Sequence, residues 1–283
     1  MDVLITPEIE QLIKSALQED IGAGDLTTLS TVPRELRGKG LFRAKRDGVA
    51  AGLFLLEKVF SVLDAQVKVR CLSRDGDQVK QGTVVAEVEG PVRALLMGER
   101  TALNFLQRLS GTATLTRRYV DAVKEFPCKI IDTRKTTPGL RTLEKYAVRM
   151  GGGINHRIGL YDAALIKDNH IVAAGSIAKA VETVRRHAPF MARVEVECVD
   201  LKQVQEAIDA KADVIMLDNM GTKQMAEAVR LVNKRAWIEA SGGITLERIR
   251  EIAEAGVDFI SIGALTHSAP AVDFNMKIVA AGQ

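Results

Sequence analysis

The 283-residue chain carries 39 Lys and Arg against 36 Asp and Glu, a formal charge of +3, with 47% hydrophobic and 4% aromatic residues. The apolar content excludes disorder and suffices for one large core or two ordinary ones, while balanced charge and scarce rings exclude a nucleic-acid coat or base-stacking platform. Three scattered cysteines, Cys71, Cys128 and Cys198, match no zinc spacing and suit a reducing compartment.

At the N-terminus, Thr6-Pro7 reads as an N-cap and first residue of a helix with the apolar stripe Ile9, Leu12, Ile13, Ala16 and Leu17. This is an acid-bearing helix period, not a basic and then apolar leader, and no run reaches the roughly 18 apolar residues of a membrane span. A cytoplasmic protein is expected. A glycine-rich break over 20–25 precedes short strands predicted at 39–44, 67–71 and 84–88. Leu53, Leu56, Val59, Phe60 and Leu63 mark a helix between the first two. Gly76-Asp77 and Gln81-Gly82 read as turns. The segment 75–82 has the look of a lipoyl- or biotinyl-carrier turn. Gly90-Pro91-Val92-Arg93 offers no lysine at the expected tip, so only the scaffold likeness is retained. From Ala94 to about Glu125 the pattern is helical, with a break expected near Ser110-Gly111.

Beyond this point apolar strand runs alternate with amphipathic helices, the signature of parallel βαβ units. The runs at 129–131, 164–166, 194–196, 214–217, 237–240 and 259–262 are followed by Asp132, Lys167, Glu197, Asp218, Ser241 and Gly263. In a (β/α) barrel these residues would ring the strand C-terminal mouth, where such folds place their active sites. The fold class is α/β: an N-terminal α+β open-sandwich domain over 1–110, then a small, irregular (β/α) barrel of about six to seven parallel strands over 111–269. A doubly wound open sheet is the alternative. A final helix over about 270–283 is expected to pack back on the N-terminal domain.

Three constellations carry chemistry. The first is cationic: Arg134, Lys135, Arg141, Lys145, Arg149, His156, Arg157, Lys167 and His170. Arg141, Lys145 and Arg149 recur at helical spacing and read as a solvated face. Arg134-Lys135 follow a strand end and Lys167 terminates an apolar strand, where a lysine would otherwise be desolvated for nothing. With His156-Arg157 they suit a ligand with several anionic groups, guanidinium matching carboxylate through its planar fork. The second is the acid pair Glu197 and Asp218 on adjacent strand ends, hard oxygen ligands suited to a Mg²⁺ shared with substrate phosphates. Pairing of these acids with Lys167 is the structural alternative. The third is Ser241-Gly242-Gly243 before a helix predicted over 245–253, with Gly263-Ala264 after the next strand. Both suit phosphate binding by backbone N–H groups, and barrels commonly bind phosphate after their last two strands. No G-x-G-x-x-G follows a strand, so hydride transfer has no support.

The block Asp132-Thr-Arg-Lys-Thr-Thr-Pro-Gly-Leu-Arg141, with Glu144-Lys-Tyr-Ala-Val, Gly151-Gly-Gly-Ile-Asn-His-Arg157 and Leu165-Ile-Lys-Asp-Asn-His-Ile171, resembles the quinolinate phosphoribosyltransferase family. The likeness extends through Glu19–Asp25, Glu99–Asn104, Glu195-Val-Glu197, Met216–Asn219, Glu239–Gly243 and Ser261–Ala264, nearly the whole chain. It implies a pentosyltransferase that converts quinolinate and phosphoribosyl pyrophosphate into nicotinate mononucleotide, pyrophosphate and CO₂, with Mg²⁺, in NAD biosynthesis. It also implies a homodimer in which Arg100 reaches the partner's site. Thr133, Arg134, Lys135, His156, Arg157 and Lys167 are the corresponding substrate positions, and Glu197 and Asp218 the acids near ribose and metal, directly or through water. Ser241, Gly242, Gly243, Ile262, Gly263 and Ala264 form the phosphate loops. Lys135, Lys167, Glu197 and Asp218 are the catalytic candidates. A related pyridine or pyrimidine phosphoribosyltransferase, a Schiff-base aldolase using Lys167 and a non-catalytic phosphosugar or nucleotide sensor are the rival readings.

Overall fold

The computed structural model describes residues 5–280 and divides the chain into two compact units. One contains the chain up to Leu115, Thr137–Gly152 and the segment from Ser268; the other contains Thr116–Thr136 and Gly153–His267.

The first unit opens with α1 (Pro7–Ile21), whose N-cap Thr6 accepts a hydrogen bond from the Ile9 N–H, and which buries Ile9, Ile13 and Leu17. Then come α2 (Leu26–Thr31), β1 (Arg37–Ala44), β2 (Gly48–Val49), α3 (Phe54–Leu63), β3 (Lys68–Cys71), β4 (Gln78–Val79), β5 (Val84–Pro91) and α4 (Val92–Ala122), whose residues from Thr116 on are counted with the second unit. The turn-like segment around Gly76 to Gly82 includes β4, which pairs antiparallel with β2. The break expected at Ser110-Gly111 is absent, and α4 is continuous. Ser110 instead accepts the Ala51 N–H and donates to the Ala51 carbonyl. Gly111 is there because a Cβ would overlap the Pro270 carbonyl oxygen. Both residues read as breakers but serve close packing.

The second unit contributes β6 (Lys129–Ile131). After it the chain forms α5 (Arg141–Met150) in the first unit, where Arg149 is exposed as expected and Arg141 half-buried, but Lys145, expected on the same solvated face, is buried together with Glu144. The second unit then resumes with β7 (Ala164–Ile166), α6 (Asp168–Ala174), α7 (Ile177–His187), β8 (Val194–Cys198), α8 (Leu201–Asp209), β9 (Val214–Asp218), α9 (Thr222–Val232), β10 (Trp237–Ser241), α10 (Ile249–Glu254), β11 (Phe259–Ser261) and α11 (Ala264–His267). Its sheet is all parallel in the order β6-β11-β10-β9-β8-β7. That is chain order with β6 carried round to the far edge beside β11. The sheet therefore winds in one direction, as a (β/α) barrel does, without the reversal of a doubly wound sheet. The helices agree, since α7 touches α8, α8 touches α9 and α9 touches α10. Among the described residues no ladder joins β6 to β7; Ile154 adds one parallel bridge to Ile131.

The helix expected over 270–283 is instead the strand β12 (Phe274–Ala280), paired antiparallel with β1 in the sheet β12-β1-β5-β3. Residues 281–283 of that expectation lie outside the described chain. Phe274 and Met276 enter the first unit's core with Ile278 partly buried beside it, while Lys277 and Val279 are exposed, a period of two.

Candidate active site

The register of the parallel sheet assembles the rim. Ile166 pairs with Val196, so Lys167 follows opposite Glu197, and Asp218 pairs directly with Ser241. These ends line a cavity of about 510 Å³ together with Thr133, Arg134, Lys135, His156, Arg157, Gly242 and Gly243. A larger groove of about 1480 Å³ lies at the opposite strand ends, but Asp213 and Asp258 there accept the Val194 and Ile238 N–H groups. The chemistry gathers at the C-terminal rim.

Asp132, expected on that rim, is completely buried and acts as a clamp. It accepts from Asn155 Nδ2 at 2.6 Å and from the His156 N–H at 2.9 Å, fixing the segment that carries His156 and Arg157. Thr133 Oγ1 accepts the Lys135 N–H, and Thr266 Oγ1 donates to the Lys135 carbonyl at 2.7 Å, so the Lys135 backbone is held from two sides.

The cations are incompletely matched by protein acids. Arg134 Nε is buried without a hydrogen-bond acceptor among the described residues. Burial holds the Arg157 guanidinium below its usual range, the charge of Arg134 adds to that, and Glu195 and Asp162 oppose it. Two like charges thus lie on one half-buried wall, with one buried donor unspoken for. Arg157 also donates from Nη1 to the Ala163 carbonyl. Lys167 Nζ lies 3.1 Å from Glu197 Oε2, the pairing weighed as the structural alternative for that acid. Asp218 Oδ2 accepts from Asn219 Nδ2 at 2.9 Å. Each of these carboxylates thus uses one oxygen in the bonds described.

The glycine loop has a steric reason. Gly242 sits at φ +90° and Gly243 at φ +58°, and a Cβ on Gly242 would collide with the Asn219 side-chain amide. Asn219, itself at φ +54°, donates its N–H to the Ser241 carbonyl. The helix expected directly after this loop starts only at Ile249, is six residues long and has no side-chain cap. What the loop offers an anion is therefore backbone N–H groups rather than a helix dipole. Gly263 is half-buried near Lys135 and His267, Ala264 begins α11, and Ile262 is buried; none of the three lines the cavity. Arg100 lies exposed on α4 in the first unit.

Sequence reasoning missed the deepest part of the site. Glu195 and Glu239 are buried in β8 and β10, with His156 Nε2 at 2.9 Å from Glu195 Oε2 and 3.4 Å from Glu239 Oε2. His156 Nδ1 accepts the Arg157 N–H at 2.8 Å. Two proton arrangements give this trio the same charge. In one, an imidazolium lies between two carboxylates: burial opposes it, but the bonds to Glu195 and Glu239 push His156 up to about 10. In the other, the ring is neutral beside one protonated carboxyl: burial pushes Glu195 up to about 7, and the Glu239 charge adds to it against the His156 bond. The Arg157 bond selects the second, because a protonated Nδ1 has no lone pair to accept with.

Residues 25–110 match the family model described as the N-terminal domain of quinolinate phosphoribosyl transferase, and residues 112–277 match its C-terminal domain. A probable carboxylating nicotinate-nucleotide pyrophosphorylase of Synechocystis sp. is 48% identical over 280 residues, 98% of this chain and 93% of that protein. A protein of the same description from Bacillus subtilis is 47% identical over 271 residues, covering 96% and 93%. The crystal structure of NadC from Streptococcus pyogenes superposes with a TM-score of 0.95 at 44% identity, covering 99% of each chain.

Proposed function

The chain belongs to the quinolinate phosphoribosyl transferase family, and from that premise we propose that its cavity joins quinolinate to phosphoribosyl pyrophosphate with loss of CO₂. The products are nicotinate mononucleotide and pyrophosphate, a step of NAD biosynthesis. The observation that carries this assignment is the half-buried Arg134–Arg157 wall with its unanswered Nε donor, lining one cavity with Glu197, Asp218 and the Ser241-Gly242-Gly243 loop. A planar dianion satisfies that wall, and a phosphorylated sugar suits the other.

Arg134, Arg157, Lys135 and Lys167 would hold the two carboxylates and aim the ring nitrogen at the anomeric carbon, a positioning effect. Backbone N–H groups of the glycine loop would hold phosphate oxygens. Negative charge on Glu197 and Asp218 would tolerate the oxocarbenium-like sugar as its anomeric C–O bond breaks and intact pyrophosphate leaves. These two hard-oxygen side chains on neighbouring strand ends also fit Mg²⁺, directly or through water, which when bound neutralises departing phosphate charge. Once ribosylated, the ring nitrogen is cationic and accepts the electron pair released as the adjacent carboxylate departs as CO₂. That carbon then takes up a proton, with Lys135 and Lys167 as candidate assistants. The proposal includes a cytoplasmic homodimer in which Arg100 is supplied across the subunit interface, consistent with its exposure on α4.

The deciding assay follows pyrophosphate and CO₂ release with phosphoribosyl pyrophosphate and either quinolinate or nicotinate. Stoichiometric release with quinolinate and poor turnover of nicotinate are expected, because nicotinate leaves a cationic subsite unpaired. Efficient use of nicotinate would reassign the substrate; no turnover of either would leave a sensor. For the shared site, mixing Arg100→Ala and Lys167→Ala proteins should restore activity through hybrid dimers, and failure after demonstrated subunit exchange would refute the trans placement.

A further inference from the structure

We infer that Glu195 and Glu239 are positioning residues that act through His156 on Arg157, forming a chain of contacts from the barrel interior to the guanidinium that meets the substrate. The inference rests on the proposed substrate pocket and concerns how one wall of it is set.

The geometry runs from the inside outward. Glu195 lies two residues before Glu197 on β8, and Glu239 two residues before Ser241 on β10, so each shares the face of a rim residue but lies one layer deeper. Both are almost wholly buried, 5% and 2% exposed, in strands otherwise apolar at those depths. A buried carboxylate is costly unless it is partnered, and the partner recorded for both is the same imidazole nitrogen, His156 Nε2, at 2.9 and 3.4 Å. Their remaining oxygens, Glu195 Oε1 and Glu239 Oε1, have no hydrogen-bond partner among the described residues. Two acids converging on one N–H leave the ring little freedom to rotate.

The other ring nitrogen is also engaged. His156 Nδ1 accepts the Arg157 backbone N–H at 2.8 Å, while Asp132 holds the His156 N–H at 2.9 Å. In this arrangement the histidine presents no ring N–H to the cavity: Nε2–H points to the acids and Nδ1 carries a lone pair. Its contribution is to fix the backbone from which Arg157 projects, while the Arg157 Nη1 bond to the Ala163 carbonyl fixes the far end of that side chain. Thus His156, a candidate substrate ligand from sequence, becomes a bracket for its neighbour. A small error in guanidinium placement matters because planar, bidentate recognition of a carboxylate tolerates little misalignment.

Two measurements test this. The first needs no activity: with only four histidines in the chain, long-range ¹H–¹⁵N correlation on ¹⁵N-histidine-labelled enzyme, without substrates, should show His156 as the neutral Nε2–H tautomer. An Nδ1–H tautomer or an imidazolium would overturn the inference. The second compares Glu195→Ala and Glu239→Ala with Glu195→Gln and Glu239→Gln. The alanine variants should raise the quinolinate KM about ten- to hundredfold, the effect of a lost buried hydrogen bond, with the phosphoribosyl pyrophosphate KM within about twofold of the parent. The glutamine variants, whose amide oxygen still accepts from Nε2–H, should recover most of that loss. An unchanged quinolinate KM in folded alanine variants, or no rescue by glutamine, refutes the chain of contacts. Where alanine variants do not fold, the tautomer in the parent decides. An inactive parent would instead indict the substrate assignment, leaving the tautomer measurement valid.

Discussion

Replacing Arg134 with methionine should separate what this residue does for the ligand from what it does to the fold. Arg134 Nε is buried with no acceptor among the described residues, and its charge acts against Arg157. An unsatisfied buried donor costs about 1–3 kcal/mol. Methionine fills much of the stem volume and removes both the orphan donor and the repulsion. The ligand-free variant should therefore be more stable than the parent by about 1–3 kcal/mol. At roughly 2–4 °C per kcal/mol for a chain of this size, its melting midpoint should rise by roughly 2–12 °C. Catalysis should move the other way. Truncating one member of a buried, hydrogen-bonded charge pair costs about 2–5 kcal/mol, so kcat/KM for quinolinate should fall by about 30- to 4000-fold at 1.4 kcal/mol per factor of ten. The assay pairs substrate-free thermal unfolding with steady-state pyrophosphate release over a range of quinolinate on the same preparation. A lowered midpoint combined with near-parental kinetics would mean that Arg134 is satisfied inside the protein, and the anion-wall argument would fail.

Gly242→Ala should raise the KM for phosphoribosyl pyrophosphate, because φ +90° is strained for alanine and its Cβ meets the Asn219 amide; unchanged substrate kinetics would remove this loop from phosphate binding. Gly111→Ala sets two effects against each other. Helix propensity favours alanine by about 1 kcal/mol, but overpacking against the Pro270 carbonyl costs about 1–3 kcal/mol, so urea unfolding should show a net loss, and a stabilised variant would refute the packing reason for that glycine. Glu144→Ala should destabilise by about 3–5 kcal/mol, since this fully buried carboxylate accepts from Arg108 Nε and Nη2 and from the Thr137 N–H and hydroxyl. A loss below about 1 kcal/mol in denaturant titration would be that of a surface pair.

The barrel was legible because each of its strands is an apolar run ended by one polar residue or glycine. Lys167, Glu197, Asp218 and Ser241 could be placed on one rim from that pattern alone, and all four line the cavity. The winding direction was not legible: a run of βα units also suits a doubly wound sheet, and only the pairing of β11 with β6 separates the two. Local breaker signals misled where tertiary contact decides. Ser110-Gly111 looks like a helix end in isolation, yet the glycine makes room for the Pro270–Ala271 backbone. The helix predicted from Thr245 starts late, because 246–248 form a turn before α10 begins. In the C-terminal segment the helix expected over about 270–283 gives way to β12, because Phe274 and Met276 alternate into the core as the strand pairs with β1.

The buried acids show what a strand pattern can still yield when depth is considered as well as rim position. Glu195 and Glu239 have the same parity as Glu197 and Ser241, two residues further in. Parity sends a side chain inward, and distance from the strand end sets how far from water it lies. A carboxylate at inward parity below the rim has no solvent to ionise into, so it demands a donor from another segment. Here that donor is a histidine delivered by the segment that bridges β6 through Ile154. Such a glutamate, read from sequence, therefore points to a polar partner inside the barrel even before that partner can be named. On the inference drawn above, the cation wall and the barrel interior act as one object: the strand glutamates, one layer below the rim, brace the histidine, and the histidine braces the Arg157 backbone.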